Sequence, residues 1–235
     1  MPDAVLIVFA KPPEPGAVKT RLAPPLTTVE AADLYRAFLT DALAAFVRSG
    51  FAVRLCLAPS PSPMPPGIVP DGVSVCVQRG DGLGARMAHA FDQAFAAGFA
   101  RAVVVGTDHP TLPPARLAEA FRALREPGTV VLGPSDDGGF YLLGLDRARP
   151  GLFAGMTYSH DRVFDQTRAR ARPAPTVVLQ PGYDVDDAAG LTRLVGEWRA
   201  GVDVGPETAA VLARLVAAYP GLDAPGGRPD PAPSG

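Results

Sequence analysis

The sequence has only two cysteines, Cys56 and Cys76, each inside an apolar strand-like run and neither in a CxxC or Cys/His spacing. That spacing supports no disulfide framework and no thiolate metal site, so both are read as buried free thiols of a protein kept in a reducing compartment. Charge of one sign is also missing. Lys and Arg number 22 against 24 Asp and Glu, a net charge of -2, and aromatics make up 7%. Such a balance excludes a general basic field for nucleic acid. No run approaches the roughly 20 apolar residues that a bilayer span needs. The first residues include Asp3 and no basic n-region, so membrane insertion and secretion are not expected, and a cytoplasmic location is. What is present is 47% hydrophobic residues over 235 positions, enough for one α/β domain with a full core.

The most informative segment lies near the start. Val5-Leu-Ile-Val-Phe9 is a continuous apolar run, as expected of a strand buried on both faces. Lys11-Pro-Pro-Glu-Pro-Gly16-Ala-Val-Lys19-Thr-Arg21-Leu follows at once; its prolines and glycine forbid regular structure. Three cations thus sit on irregular backbone at the carboxyl end of a central strand, where open α/β sheets bind ligands. Cations and free amides on a turn suit a polyphosphate.

Strand-like and helix-like segments alternate through the rest. Thr27-Thr-Val-Glu30 is a capping box for a helix stopping near Gly50. Strands are expected over 52–58, 73–77, 102–106, 129–132, 140–145 and 177–179. Pro59 to Pro70 reads as a surface loop. Helices are expected over 83–99, from Pro113 or Pro114, from Ser159 or His160 to about Ala171, and over 188–199 and 207–219. This order predicts a three-layer α/β/α architecture with a mostly parallel, mixed sheet. Residues 1–219 are expected to form one domain and 220–235 a Pro/Gly-rich disordered tail.

Four further segments follow strands and would reach the same sheet edge. Gln78-Arg-Gly-Asp-Gly82-Leu-Gly84 leads into a helix, and its glycines permit close approach to a ligand. Asp108, in Gly106-Thr-Asp-His-Pro110, is placed as a hard-cation ligand. His109 beside it is read as a loop hydrogen-bonder. Ser135-Asp-Asp137-Gly138-Gly139 joins two strands, followed by Phe140 and Tyr141, which point to opposite faces. Tyr183-Asp-Val-Asp186-Asp187 offers a second carboxylate for a cation and, in Asp187, an N-cap.

The set as a whole resembles the GT-A-like nucleotide-diphospho-sugar transferase superfamily. It is most similar to a bacterial family of glycosyltransferases grouped with radical-SAM, selenium- and arsenosugar-related neighbours. The carrying motifs are Phe9-Ala-Lys-Pro-Pro-Glu-Pro-Gly-Ala-Val-Lys-Thr-Arg-Leu, Gln78-Arg-Gly-Asp-Gly-Leu-Gly-Ala-Arg-Met, Gly106-Thr-Asp-His-Pro-Thr-Leu, Gly133-Pro-Ser-Asp-Asp-Gly-Gly-Phe-Tyr-Leu-Leu-Gly and Asp184-Val-Asp. Lys19-Thr-Arg-Leu is also similar to the phosphate turn of phospholactate guanylyltransferases. Pro110 stands where a second acid is usual, and Tyr158-Ser-His160 where Trp-Ser-Thr is.

The resemblance implies a nucleotide site of Phe9, Ala10, Lys11, Lys19, Arg21, Gln78, Gly82 and Gly84, with Lys19 and Arg21 on the phosphates. It implies Mg2+ (or Mn2+) on Asp108 and Asp186. Asp137, Gly138, Gly139 and Tyr141 would face the transferred group or a small-molecule acceptor. Asp108, Asp137 and Lys19 would carry the chemistry. The expected function is a metal-dependent transferase using a nucleotide-sugar donor. Transfer of a nucleotidyl group to a phosphorylated acceptor is an alternative, as is a nucleotide-binding module without catalysis.

Overall fold

Alternation along the first strand explains the layering of the molecule. The computed structural model describes residues 3–60 and 62–222. In β1 (Ala4–Ala10), Leu6 and Val8 face one side while Val5 and Ile7 face the other, all at most 1% exposed. Both faces of this strand are therefore apolar because both are covered. Each such side chain contributes about 1.5–3 kcal/mol relative to exposure.

The first face is covered by α1 (Thr28–Arg48), through Leu39, Leu43 and Phe46, and by α3 (Pro114–Ala123), through Leu117 and Phe121. The second is covered by α2 (Gly82–Ala96), through Met87 and Phe91, and by α4 (Val163–Ala171). Two last helices, α5 (Ala188–Arg199) and α6 (Pro206–Ala218), pack on the outer side of α1, where Leu34 and Phe38 meet Leu194 and Leu212. Thr27 caps α1 with the expected box: its hydroxyl accepts from Glu30 N–H and the Glu30 carboxylate accepts from Thr27 N–H.

The other strands are β2 (Ala52–Leu57), β3 (Ser74–Val77), β4 (Arg101–Val105), β5 (Val130–Pro134), β6 (Phe140–Leu145) and β7 (Thr176–Val178). They form one seven-stranded sheet in the order β3-β2-β1-β4-β6-β5-β7. Only β6 runs antiparallel to its neighbours, so the expected mixed sheet is observed. The segments after β1, β3, β4, β5 and β7 consequently leave the sheet at one rim.

Three expectations need correction. The helix expected from Ser159 or His160 begins at Val163. Ser159 has φ 67°, in the left-handed region, so it ends an irregular approach instead of capping a helix. The Pro59–Pro70 segment is not wholly a surface loop: Ile68 is 3% exposed and joins the first-face core. Cys56 is buried as expected, but Cys76, on an edge strand, is only half-buried. Of the tail expected over 220–235, residues 223–235 lie outside the described residues, while Leu222 is 1% exposed and packs into the core with Leu212 and Leu215.

Candidate active site

Lys19 sits at the centre of the rim. Its backbone adopts φ 48° and ψ 36°, a left-handed conformation uncommon outside glycine. The following turn of 3-10 helix, Thr20–Leu22, is pinned by Leu22, which is fully buried against α1 and α5. The side chain is 3% exposed and runs beneath the rings of Tyr35 and Phe38. Its ammonium donates to Asp108 Oδ1 after β4, and to Asp186 Oδ1 at 2.7 Å after β7. Burial disfavours the charge, but the two carboxylates outweigh it and hold the ammonium above the ordinary lysine range.

The two acids reach the same point because their loops are stitched together. Val185 N–H donates to the Asp108 carbonyl at 2.8 Å. Ser135 and Gly182 form an isolated parallel bridge, with Asp136 N–H on the Gly182 carbonyl at 2.9 Å. Ser135 Oγ donates to Asp184 Oδ2 at 2.9 Å. Burial, then the charge of Asp108, pushes the Asp184 carboxyl up to about 7 despite that bond. The neighbouring His109 is pushed down to about 4 by burial and is neutral; it packs edge-on against Tyr141, and its buried Nδ1 has no hydrogen-bond partner, so the loop hydrogen bond expected of it is not made at that atom.

Lys19, Asp108 and Asp186 line a cavity of about 510 Å3. Phe9, Ala10, Lys11 and Gln78, all expected in a nucleotide site, line it too. Gln78 is fixed at the end of β3: its Nε2 donates to the Cys56 carbonyl and its N–H to the Leu57 carbonyl, both at 2.8 Å. Lys11 N–H donates to Tyr35 Oη at 2.9 Å, and Thr107 Oγ1 donates to the same oxygen at 3.2 Å. Tyr35 lines the cavity as well; in the sequence it is one more bulky residue on an amphipathic helix, with no signal to single it out.

A second cavity of about 400 Å3 adjoins the first and shares Leu83, Phe140, Ser159 and Asp186 with it. Arg21, Asp137 and Gly139 line this part. Arg21 donates to Asp187 Oδ2 at 2.9 Å, while Asp187 caps α5 by accepting from Gly190 N–H at 3.0 Å. Gly138 supports the wall from behind. A Cβ there would lie 2.0 Å from the Asp161 carbonyl oxygen, and its own carbonyl accepts from Phe164 N–H at 2.8 Å.

Several expected residues stand differently. Gly82 and Gly84 do not line either cavity; Gly84 is needed because a Cβ would meet the Tyr158 ring at 2.8 Å. Tyr141 lines the first cavity, not the second, and is 6% exposed with Oη donating to the Gln180 carbonyl. Phe140 and Ser159 line both cavities and His160 lines the second. Lys19 and Ser159 are the two non-glycine residues with positive φ among the described residues, and both line the first cavity. Backbone strain of this kind costs of order 1–3 kcal/mol and gathers where function requires it.

Among the described residues no three His, Cys, Asp or Glu are grouped to hold a metal alone. Asp108 and Asp186 are half-exposed, share one ammonium and lie beside the raised Asp184. Excess negative charge on hard oxygen donors fits Mg2+ or Mn2+ that also takes ligand phosphate oxygens.

A family model described as "Uncharacterized protein conserved in bacteria (DUF2064)" matches residues 42–160. A Desulfovibrio desulfuricans protein, provisionally named a nucleotide-diphospho-sugar transferase, is 31% identical. The match covers 92% of this chain and 96% of that one, with a TM-score of 0.85. A Bacillus anthracis protein provisionally named a glucose-1-phosphate thymidylyltransferase shares the fold at 14% identity, over 87% and 98% of the two chains, with a TM-score of 0.53. A Mycobacterium tuberculosis protein solved with manganese does so at 19% identity, over 79% and 92%, with a TM-score of 0.50. No curated protein matches the sequence. Among the described residues no helix is long and apolar enough to cross a membrane.

Proposed function

Because the chain belongs to the DUF2064 family of bacterial proteins, and its fold is that of the nucleotide-diphospho-sugar transferases, we propose that it is a transferase whose donor is a nucleotide sugar. The observation that carries this reading is the meeting of Lys19, Asp108 and Asp186 on one cavity that Gln78 also lines. The cavity takes the nucleotide, with Gln78 on the base and Lys11 and Lys19 on the phosphates. The adjoining cavity takes the transferred sugar and a small-molecule acceptor. Asp137, lining that second space, accepts the proton of the acceptor hydroxyl. Negative charge grows on the diphosphate as it departs, and Lys19 offsets it from a buried, fixed position while Arg21 adds charge from the adjoining cavity.

Asp108 and Asp186 would hold Mg2+ or Mn2+, which supplies further stabilisation of the leaving diphosphate. The manganese in the mycobacterial structure belongs to that protein and accords with the oxygen donors found in this one. The motif set supports the arsenosugar-type, radical-SAM-associated group within the superfamily. The reading treats residues 1–219 as one catalytic domain acting in the cytoplasm.

Nucleotidyl transfer is the second reading. It is favoured by Lys11 and Lys19 lining one cavity from the same turn, since a triphosphate tail calls for clustered cations. Incubation with labelled nucleoside triphosphates and with sugar nucleotides, plus Mg2+, separates the two. Release of a nucleoside diphosphate from a sugar nucleotide is expected. Pyrophosphate release from a triphosphate, with sugar nucleotides untouched, would favour the second reading. Tight binding of both without turnover would point to a non-catalytic module.

A further inference from the structure

Cys56 and Cys76 are register partners on the neighbouring parallel strands β2 and β3. Their side chains share the face of the sheet covered by α2. The two Sγ atoms lie 2.6 Å apart. Sulfurs already in contact need only a small shift to reach the disulfide length of about 2.05 Å. The pair is asymmetric. Cys56 is 2% exposed, whereas Cys76 is half-buried on the edge strand. Contact with the Cys56 thiol, with the Arg54 charge adding to it, holds the Cys76 thiol down near 7, which favours its thiolate.

We propose that Cys56 and Cys76 are a reversible modification site, closing to an intramolecular disulfide across the outer edge of the sheet. Exposure fixes the order of events. The Cys76 thiolate attacks one sulfur of a low-molecular-weight disulfide such as oxidised glutathione, forming a Cys76–glutathione bond and expelling one glutathione thiolate. Cys56 then attacks the Cys76 sulfur, the Cys76–glutathione bond breaks, and the second glutathione leaves with the Cys56 proton. Two protein thiols are oxidised and one glutathione disulfide is reduced to two thiols. The bond would tie β3 to β2 at the Cys56 residue whose carbonyl accepts from Gln78, two positions beyond Cys76. The disulfide would thus stiffen the strand end that presents Gln78 to the cavity.

The test treats the full chain with oxidised glutathione, followed by alkylation and mass spectrometry. The expected product is a monomer lighter by two hydrogens, with both thiols protected and fully restored by dithiothreitol. Cys56→Ala keeps the site small and apolar and should retain one glutathione on Cys76; Cys76→Ser should retain none. Amide exchange over residues 77–80 should slow in the oxidised form. Persistent alkylation of both cysteines after oxidation, or disulfides only between chains, would overturn the proposal. An adduct on Cys56 in Cys76→Ser would overturn the order of attack. Unchanged exchange over 77–80 would overturn the link to Gln78.

Discussion

Lys19 and Asp186 are 167 positions apart, yet the ammonium of one donates to the carboxylate of the other at 2.7 Å, with Asp108 sharing the same cation. The lysine therefore occupies the space between the two carboxylates assigned to a divalent ion. It is an internal counter-charge that holds the two acids together; under the proposed function, a phosphate ligand and its metal would take its place.

Replacing this lysine separates its roles. Lys19→Met should destabilise the fold by about 1–3 kcal/mol, less than a fully buried broken pair because both acids are half-exposed. Nucleotide affinity should fall at least about tenfold, or ~1.4 kcal/mol. Mn2+ alone should bind more tightly than to the native protein, because the acids lose their competitor. Urea unfolding and calorimetric titration measure all three. Unchanged Mn2+ affinity would show that the ammonium does not compete for the carboxylates.

Gly138 tests the wall of the second cavity. It combines φ +84° with a Cβ position 2.0 Å from the Asp161 carbonyl oxygen. Gly138→Ala should cost roughly 2–4 kcal/mol through strain and overlap. The 158–163 segment should be displaced, so turnover should fall while nucleotide affinity in the first cavity stays within about twofold. Equal losses of binding and turnover would mean that the two cavities do not act separately.

Asp146 gives a pH signature remote from the site. Burial raises its carboxyl, but the hydrogen bonds from Arg147 and from Gly128 N–H at 2.6 Å outweigh it and hold the group below the ordinary range. A depressed carboxylate stabilises the fold above its unfolded value, about 3.9, and loses that contribution as pH falls through the folded value. Asp146→Asn should therefore cost about 1–2 kcal/mol at pH 7. The difference from the native protein should shrink below about pH 4. Chemical unfolding across pH checks this; a constant difference would contradict it.

Local chemistry was legible in the sequence wherever one short segment carried the whole signal. The Thr27–Glu30 capping box, the Asp187 cap and the apolar run of β1 need only near neighbours, and all three are observed. The parallel order then forced the five loops to one rim. Ser159 misled because a serine before a helical stretch signals an N-cap, while packing against Gly138 and Gly84 holds its segment irregular up to Val163. The partner of Lys19 was illegible for a different reason. Position along the chain shows a cation near a strand end, but not whether its ammonium meets acids 89 and 167 residues away or remains open for phosphate. Tyr35 was hidden because its oxygen matters and its ring looks like core.

The proposed function requires Asp108 and Asp186 to hold one divalent ion against the diphosphate of a nucleotide ligand. Phosphorus-31 relaxation of a nucleoside diphosphate titrated with protein and trace Mn2+ tests it most directly. Strong broadening of both phosphorus signals is predicted with the native chain, falling to the protein-free level in Asp108→Asn and Asp186→Asn. Broadening that is unaffected by either substitution, or absent with the native chain, would contradict the account.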